Sequence, residues 1–473
     1  MKLWTAEEAI AATGGTAQGE WVAVGVSIDT RKLRPGDLFV ALKAERDGHD
    51  FVADALKKGA AAALVSRIPE NVPDDAPLLI VGDVLQGLEA LGLAARQRTR
   101  AKVVAVTGSV GKTSTKEMLR IVLSGQGKTH AAEASYNNHW GVPLTLARMP
   151  VDTDFAVIEV GMNHPGEIAP LAKMAKPHVA LVTTVAPAHL EAFESVDAIA
   201  HEKAAVFTGL VEGGIAIINA DISTAEILRN AAAPQTTYSF GEADDANFRA
   251  KSVEIIDQTT LVQCDLNGQP AVFKINALGR HFAMNAMGAI AVVDSLGLDF
   301  AVALGDIGRW VPPVGRGTRE RLVMDIVEDH LYFDLIDDAF NANPTSMLAS
   351  FEVLSAAKKS AKGRCIAVLG DMLELGDEEI SMHRSLSDSE FFSQIDVVHC
   401  VGPKMKALYD ELPELQAGRW TETASELARC AHSFVHAGDV LLVKGSKGSK
   451  VSLVVDAVRK LGHSAPISEE EGG

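Results

Sequence analysis

The chain has 473 residues, of which 47% are hydrophobic and 22% charged, with a net charge of −18. That length accommodates about three domains of ordinary size, and the apolar content argues against a disordered chain. The acidic balance supplies no basic field for nucleic acid, so anionic ligands must be held by local Lys, Arg and helix N-termini.

The first ten residues, MKLWTAEEAI, carry Glu7 and Glu8 where a secretory signal would be apolar. No apolar run approaches the ~20 residues of a membrane span. The stretch 282–305 contains Asn285, Asp294 and Asp299 and reads as a soluble core helix and loop. Cys264, Cys365, Cys400 and Cys430 show no C-x-x-C spacing. Neither zinc nor a redox pair is indicated, and a reduced, cytoplasmic location is expected.

In the first segment the pattern predicts a strand over 37–42, a helix over 51–58 and a strand over 61–65. The polar, basic stretch 96–102 reads as a linker. Beyond it come a buried-type strand at 103–106, a Gly loop and a helix from Thr113. Strand-like runs recur at 155–160, 179–182 and 214–218, with helical stretches between them, which is the signature of a parallel sheet. The segment 312–317, PPVGRG, is the strongest punctuation and reads as a hinge. After it, strands at 331–336, 364–369, 396–401 and 440–443 again alternate with helices. The expected division is therefore 1–98, 99–313 and 314–473. No short-period repeat or sustained heptad occurs, so a monomer is expected. The tail 468–473 is expected to be solvated and disordered.

The strongest chemical signal is the strand–loop–helix VVAVTGSVGKTS at 103–114. Backbone N–H groups in such a loop can cradle phosphate oxygens. The loop residues are Thr107, Gly108, Ser109, Val110, Gly111, Lys112, Thr113 and Ser114. Gly108 and Gly111 allow backbone conformations that a Cβ would block. Lys112 offers a cation to the β/γ-phosphates and the Thr113 hydroxyl a ligand to Mg²⁺. Val106 stands where the longer phosphate-loop pattern has Gly, so only the shorter T-G-x-x-G-K-T-S form is present. Glu159 ends the apolar run FAVIE, either as a Mg²⁺ ligand beside the loop or as an exposed strand-end carboxylate. His189 follows the strand at 179–182, either as a metal ligand or as a structural histidine. Lys203 sits in a helical stretch, where lysine is ordinarily a solvated surface residue.

Several motifs then resemble one family in order. They are TGSVGKTS (107–114), NNHWGVPLTL (137–146), IEVGMNHPGEI (158–168), AHLEAF (188–193), HFAMNAMGAIAV (281–292), DDAFNANPTSM (337–347), LGDMLELG (369–376) and LLVKGSKGSK (441–450). The chain resembles the Mur ligases, specifically their D-alanyl-D-alanine-adding branch. Residues 27–51 resemble that family's UDP-sugar domain.

The resemblance implies an α/β protein of three domains. A smaller N-terminal α/β domain would bind the UDP substrate, a central P-loop ATPase domain with a mostly parallel sheet would follow, and a Rossmann-like domain would end the chain. It implies an ATP-dependent amide ligase that uses Mg²⁺ and adds D-alanyl-D-alanine to UDP-N-acetylmuramoyl-tripeptide through an acyl phosphate. Lys112 and Thr113 would hold ATP and Mg²⁺, with Glu159 and His189 as metal ligands. Lys203 would be the family's carbamylated lysine, although Ala205 stands where the family has an acidic residue. Asn285 would contact adenine, Arg316 the nucleotide phosphates, and Asp338 the ribose or base. Asn137 and Asn138 would lie near the peptide end of the UDP substrate. Ser27, Asp29, Thr30 and Arg31 would hold its uracil and diphosphate, with Asp47 and His49 nearby.

Read from residue chemistry alone, the N-terminal set also suits turn-building. Arg31 has the donor fork that phosphate prefers. Asn285 also suits a helix pairing with His281, and KGSKGSK a flexible basic loop. The rivals are another ligase of the superfamily (diaminopimelate- or lysine-adding, or a folylpolyglutamate synthase) and a P-loop regulator without ligase activity.

Overall fold

Residues 2–256, 258–325, 328, 330–358 and 363–465 are described in the computed structural model of the chain. The acidic tail lies outside them. Among the described residues, three large sheets follow one another along the chain, each with its own helices.

The central sheet has nine strands. Its parallel core runs Thr129–Ala131, Phe155–Glu159, Lys102–Thr107, Val179–Val182, Ile215–Asn219, Thr236–Gly241 and Phe248–Ile256 in spatial order. Thr259–Leu266 and Gln269–Ile275 extend it as antiparallel strands. Val104 and Val106 face one apolar layer with helices Lys112–Ser124 and Arg280–Ser295. Val103 and Ala105 face the opposite layer with helices Ile168–Ala175 and Val196–Ala204. Burial on both faces explains why these strands are continuously apolar rather than alternating. Each fully buried Val or Ile contributes roughly 1.5–3 kcal/mol. The antiparallel extension, absent from the expected strands, does alternate: Thr260, Val262, Cys264 and Leu266 are buried while their neighbours are not.

The N-terminal sheet orders Thr16–Gln18, Leu78–Ile80, Ala62–Val65, Asp37–Val40 and Gly25–Ser27, with only the first pair antiparallel. The stretch expected as a linker is a packed joint. Helix Val84–Arg98 runs through it, and Arg96 donates to the carbonyls of Ala175 and Lys176, both at 2.8 Å. The Arg98 guanidinium lies 3.8 Å from the Trp4 ring centroid. Basic side chains that look solvated in sequence here bond the central lobe, in the case of Arg96, and cover a ring of their own lobe, in the case of Arg98.

The C-terminal sheet orders Ala417–Thr421, Val397–Val401, Cys365–Gly370, Val440–Lys444, Tyr332–Asp338, Thr318–Val323 and His463–Ala465. Its first five strands are parallel. The greasy stretch 282–305 resolves into helices Arg280–Ser295 and Phe300–Ile307. Among the described residues, no helix is long and apolar enough to cross a membrane. All four cysteines are free.

Candidate active site at the meeting of central and C-terminal lobes

The strand Lys102–Thr107 delivers the chain into the Gly loop at the C-terminal edge of the parallel sheet, where ligands bind in such folds. Gly111 caps the helix Lys112–Ser124 at φ 88, and a Cβ there would stand 2.5 Å from Asn285 Oδ1. Only glycine combines that backbone with that approach. The loop is braced from the neighbouring strand end: Thr183 Oγ1 donates to the Val110 carbonyl at 2.6 Å, and Ser109 N–H to the Thr184 carbonyl at 2.8 Å.

Lys112 Nζ donates to the Gly108 carbonyl at 2.6 Å and to that of Ser109 at 3.3 Å. Burial pushes its pKa down to about 8; Glu159 opposes the shift and Arg316 adds to it. Glu159 sits opposite Val106 in register and shares the sheet face of Phe155 and Val157, the face on which helix Lys112–Ser124 lies. That parity brings Glu159 to Thr113, whose hydroxyl is 3.2 and 3.1 Å from its two oxygens. Asn137 Nδ2 donates to the same carboxylate at 2.8 Å. Glu159 is 1% exposed, which overturns the exposed strand-end reading. Its hydrogen-bond partners Thr113 and Asn137 are both neutral, and the cations that act on it are Lys112 and Arg316. A hydroxyl and a carboxylate side by side are hard oxygen donors that suit Mg²⁺. Among the described residues no cluster of three or more His, Cys, Asp or Glu could hold a metal by itself. Protein donors of this kind are normally supplemented by phosphate oxygens and water.

A cavity of about 430 Å³ opens above this pair. Ser109, Val110, Gly111, Lys112, Thr113 and Ser114 line it, with Asn137, Asn138, Glu159, His189 and Asn285 from the central lobe. The 312–317 segment itself supplies Arg316, and from beyond it come Asp338 and Lys444. Arg316 donates from Nη2 to Ser135 Oγ at 3.2 Å and stacks 4.0 Å from the Phe340 ring centroid. Burial lowers its pKa. Asp338 and Lys444 are register partners at the ends of adjacent parallel strands, and Lys444 Nζ donates to Asp338 Oδ2 at 2.6 Å. Lys444, 3% exposed, is thus a buried ion-pair partner, not part of a flexible basic loop. Ser350 Oγ donates to the same Asp338 oxygen at 2.7 Å.

Thr107 and Gly108 stand beneath the loop rather than on the cavity wall. Asn138 also caps the helix Gly141–Ala147, accepting from Gly141 N–H at 2.9 Å. His281 and Asn285 make no hydrogen bond with each other: the buried His281 Nδ1 has no partner, and burial holds its pKa down at about 4. His189 Nδ1 meets Glu374 Oε2 at 2.5 Å, across the two lobes. Lys203 is 2% exposed, which reverses the solvated-surface reading. It forms no ion pair among the described residues, and its one polar contact there is Met162 Sδ at 3.9 Å. Burial drives its pKa well below the ordinary lysine value, and nearby Lys112 adds to this.

Ser27, Asp29, Thr30, Arg31, Asp47 and His49 lie in the N-terminal lobe, away from this cavity. Arg31, 83% exposed, donates from Nε and Nη2 to Asp29 at 2.9 and 2.7 Å. Its side-chain bond, opposed by some burial, brings Asp29 down to about 2. Asp47 Oδ1 meets His49 Nδ1 at 2.6 Å, and Ser66 N–H donates to His49 Nε2 at 3.0 Å, so His49 is fully engaged. Thr30 gives its carbonyl to Lys58 Nζ at 3.2 Å, and Ser27 Oγ donates to the Asp29 carbonyl at 3.1 Å. Sequence reasoning missed Lys444, Ser135 and Glu374 as individual residues and weighed His281 only as a helix partner of Asn285. Lys444 and Glu374 lie in motifs it had singled out, so position at or just past a strand end was the available signal for those two.

Residues 106–293 match the Mur ligase middle domain, 324–447 the Mur ligase glutamate ligase domain, and 23–120 the Mur ligase family catalytic domain. The UDP-N-acetylmuramoyl-tripeptide–D-alanyl-D-alanine ligase of Bacillus subtilis is 36% identical over 91% of this chain and 92% of its own length. That of Escherichia coli K12 is 35% identical over 95% and 96%. A crystal structure of MurF from Acinetobacter baumannii superimposes with a TM-score of 0.82 at 28% identity, covering 97% of this chain and 99% of that one. MurF ligase from Thermotoga maritima in complex with ADP gives 0.76 at 25% identity, over 92% and 97%. The chain belongs to the Mur ligase family, on the branch of the D-alanyl-D-alanine-adding ligases.

Proposed function

We propose that this chain joins the terminal carboxylate of UDP-N-acetylmuramoyl-tripeptide to the amine of D-alanyl-D-alanine at the expense of ATP, supplying a peptidoglycan precursor. The observation that carries this reading is the convergence in one cavity of the Gly loop, the Thr113–Glu159 pair, Arg316 from the 312–317 segment, and Asp338 and Lys444 from the third sheet. A regulator that only bound nucleotide would need no N-terminal lobe with its own five-stranded sheet packed on the central lobe.

A carboxylate is a poor electrophile. Its oxygen attacks the γ-phosphorus of ATP, the bond to the β–γ bridging oxygen breaks, and ADP leaves. The dipeptide nitrogen then attacks the acyl carbon, phosphate departs with the former carboxylate oxygen, and the amine loses its proton. Loop N–H groups and Lys112 hold the β/γ-phosphates, and Lys112 and Arg316 face charge that spreads over the transferring phosphoryl. Asn285 and Asp338 face the adenosine. Thr113 and Glu159, with His189 on the same cavity wall, would hold Mg²⁺, which would supply neutralisation of phosphate charge. Lys203 suits carbamylation because a buried amine held neutral is the form that adds CO₂, losing a proton to become a carbamate. Ser27, Asp29, Thr30, Arg31, Asp47 and His49 serve the UDP end of the substrate, and Asn137 and Asn138 its peptide end. The lobes correspond to domains at 1–98, 99–313 and 314–473, and the enzyme works as a cytoplasmic monomer.

The test is isotopic. Tripeptide substrate labelled with ¹⁸O in the reacting carboxylate should pass one label to the released phosphate. Label retained wholly in the peptide product would rule out the acyl phosphate.

A further inference from the structure

His189 lines the phosphate side of the cavity, yet its ring is held from the other lobe. The loop after strand Val179–Val182 carries it, and the loop after strand Cys365–Gly370 carries Glu374. Besides the side-chain bond at 2.5 Å, Glu191 N–H donates to the Glu374 carbonyl at 3.4 Å. His189 at φ 58 and Glu374 at φ 64 both adopt the left-handed backbone that non-glycine residues rarely take. Two such residues facing each other across a joint are held there by that contact and its surroundings, and such outliers cluster at functional sites. Glu374 does not hang free on its own lobe. Ser446 N–H donates to the Asp371 carbonyl at 3.0 Å, and Leu373 N–H to Ser446 Oγ at 3.0 Å. The 371–376 loop is thereby tied to the segment whose Lys444 pairs with Asp338 in the cavity.

We propose that Glu374 is a positioning residue that sets the tautomer and orientation of His189, so that this part of the site is complete only when the C-terminal lobe is seated. The proposal deepens the ligase reading and rests on it for its kinetic arm alone. A carboxylate accepting from Nδ1–H leaves Nε2 as the free lone pair of the ring. The titratable groups that act on the ring are Glu374, Lys112 and Lys203. The C-terminal lobe thus reports its docking through one hydrogen bond to a ring on the wall that Lys112 and Glu159 share.

The experiment uses the full chain, E374A, E374Q and H189A. Histidine-selective ¹⁵N NMR of the wild type should show His189 as the Nδ1–H tautomer, identified by its loss in H189A. E374A should lose that signature, and E374Q, whose amide oxygen still accepts, should keep it. In turnover, E374A should lower kcat by roughly 10–100-fold with little change in KM for ATP, and should add nothing in an H189A background. An unchanged tautomer in E374A, or effects of the two substitutions that multiply, would overturn the proposal. The NMR arm needs no substrate, so it stands or falls apart from the ligase assignment.

Discussion

The central lobe meets its two neighbours by different physics. Toward the N-terminal lobe it shares an apolar core: Leu144 and Ala147 pack in one buried cluster with Trp4, Val26, Leu88 and Leu91. Directed bonds reinforce that joint, from Trp4 Nε1 to the Ala147 carbonyl at 2.8 Å and from Arg148 Nε to the Val26 carbonyl at 2.6 Å. Toward the C-terminal lobe, Leu278 and the partly buried Ile255 join the apolar cluster. Polar contacts accompany them: His189 with Glu374, Arg316 with Ser135, and Arg280 with Glu352 at 3.6 Å. The reactive groups collect at the second joint. A welded joint keeps the N-terminal lobe in register, and a polar one can open and close around nucleotide.

Four changes would break or sharpen this contrast, taken from the largest expected effect. Lys112→Ala removes the loop cation at the polar joint and should lower kcat about 10³-fold, measured by phosphate release, while the melting temperature holds. Lys444→Ala leaves the partly buried Asp338 without its cation, with Ser350 still donating to it, and should cost about 2 kcal/mol. Calorimetry should place that loss in the C-terminal lobe and leave the first two lobes unmoved. Trp4→Phe keeps the ring but strands the Ala147 carbonyl, at a cost of roughly 1–3 kcal/mol, and the N-terminal and central lobes should still melt together. The smallest effect is in pH. With its pKa lowered to about 8, the free enzyme's Lys112 is charged below that value and neutral above it. ATP affinity should therefore weaken as pH rises through 8 in a titration. The folding contribution has the opposite sign, because the unfolded chain keeps the proton up to a higher pH, so stability rises over the same window.

Local order was legible in the sequence wherever one physical rule acted alone. The apolar runs at 103–106, 155–160 and 179–182 became neighbouring parallel strands because nothing but two-sided burial shapes them. The Gly loop was legible because its backbone demands glycine. What sequence could not show was the destination of polar side chains. Lys203 and Lys444 resemble solvated lysines, and only tertiary packing buries them. Arg96 and Arg98 resemble a linker, and only tertiary packing gives Arg96 the central lobe's carbonyls and Arg98 the Trp4 ring of its own lobe. The Glu374 contact joins residues 185 apart in the chain, beyond the reach of any local pattern.

This chain couples ATP cleavage to amide formation between two defined partners. Phosphate release with ATP and Mg²⁺ should require both UDP-N-acetylmuramoyl-tripeptide and D-alanyl-D-alanine, and mass spectrometry should find the UDP-linked pentapeptide in equal amount. Phosphate release at full rate with either partner left out, and no pentapeptide formed, would contradict the account.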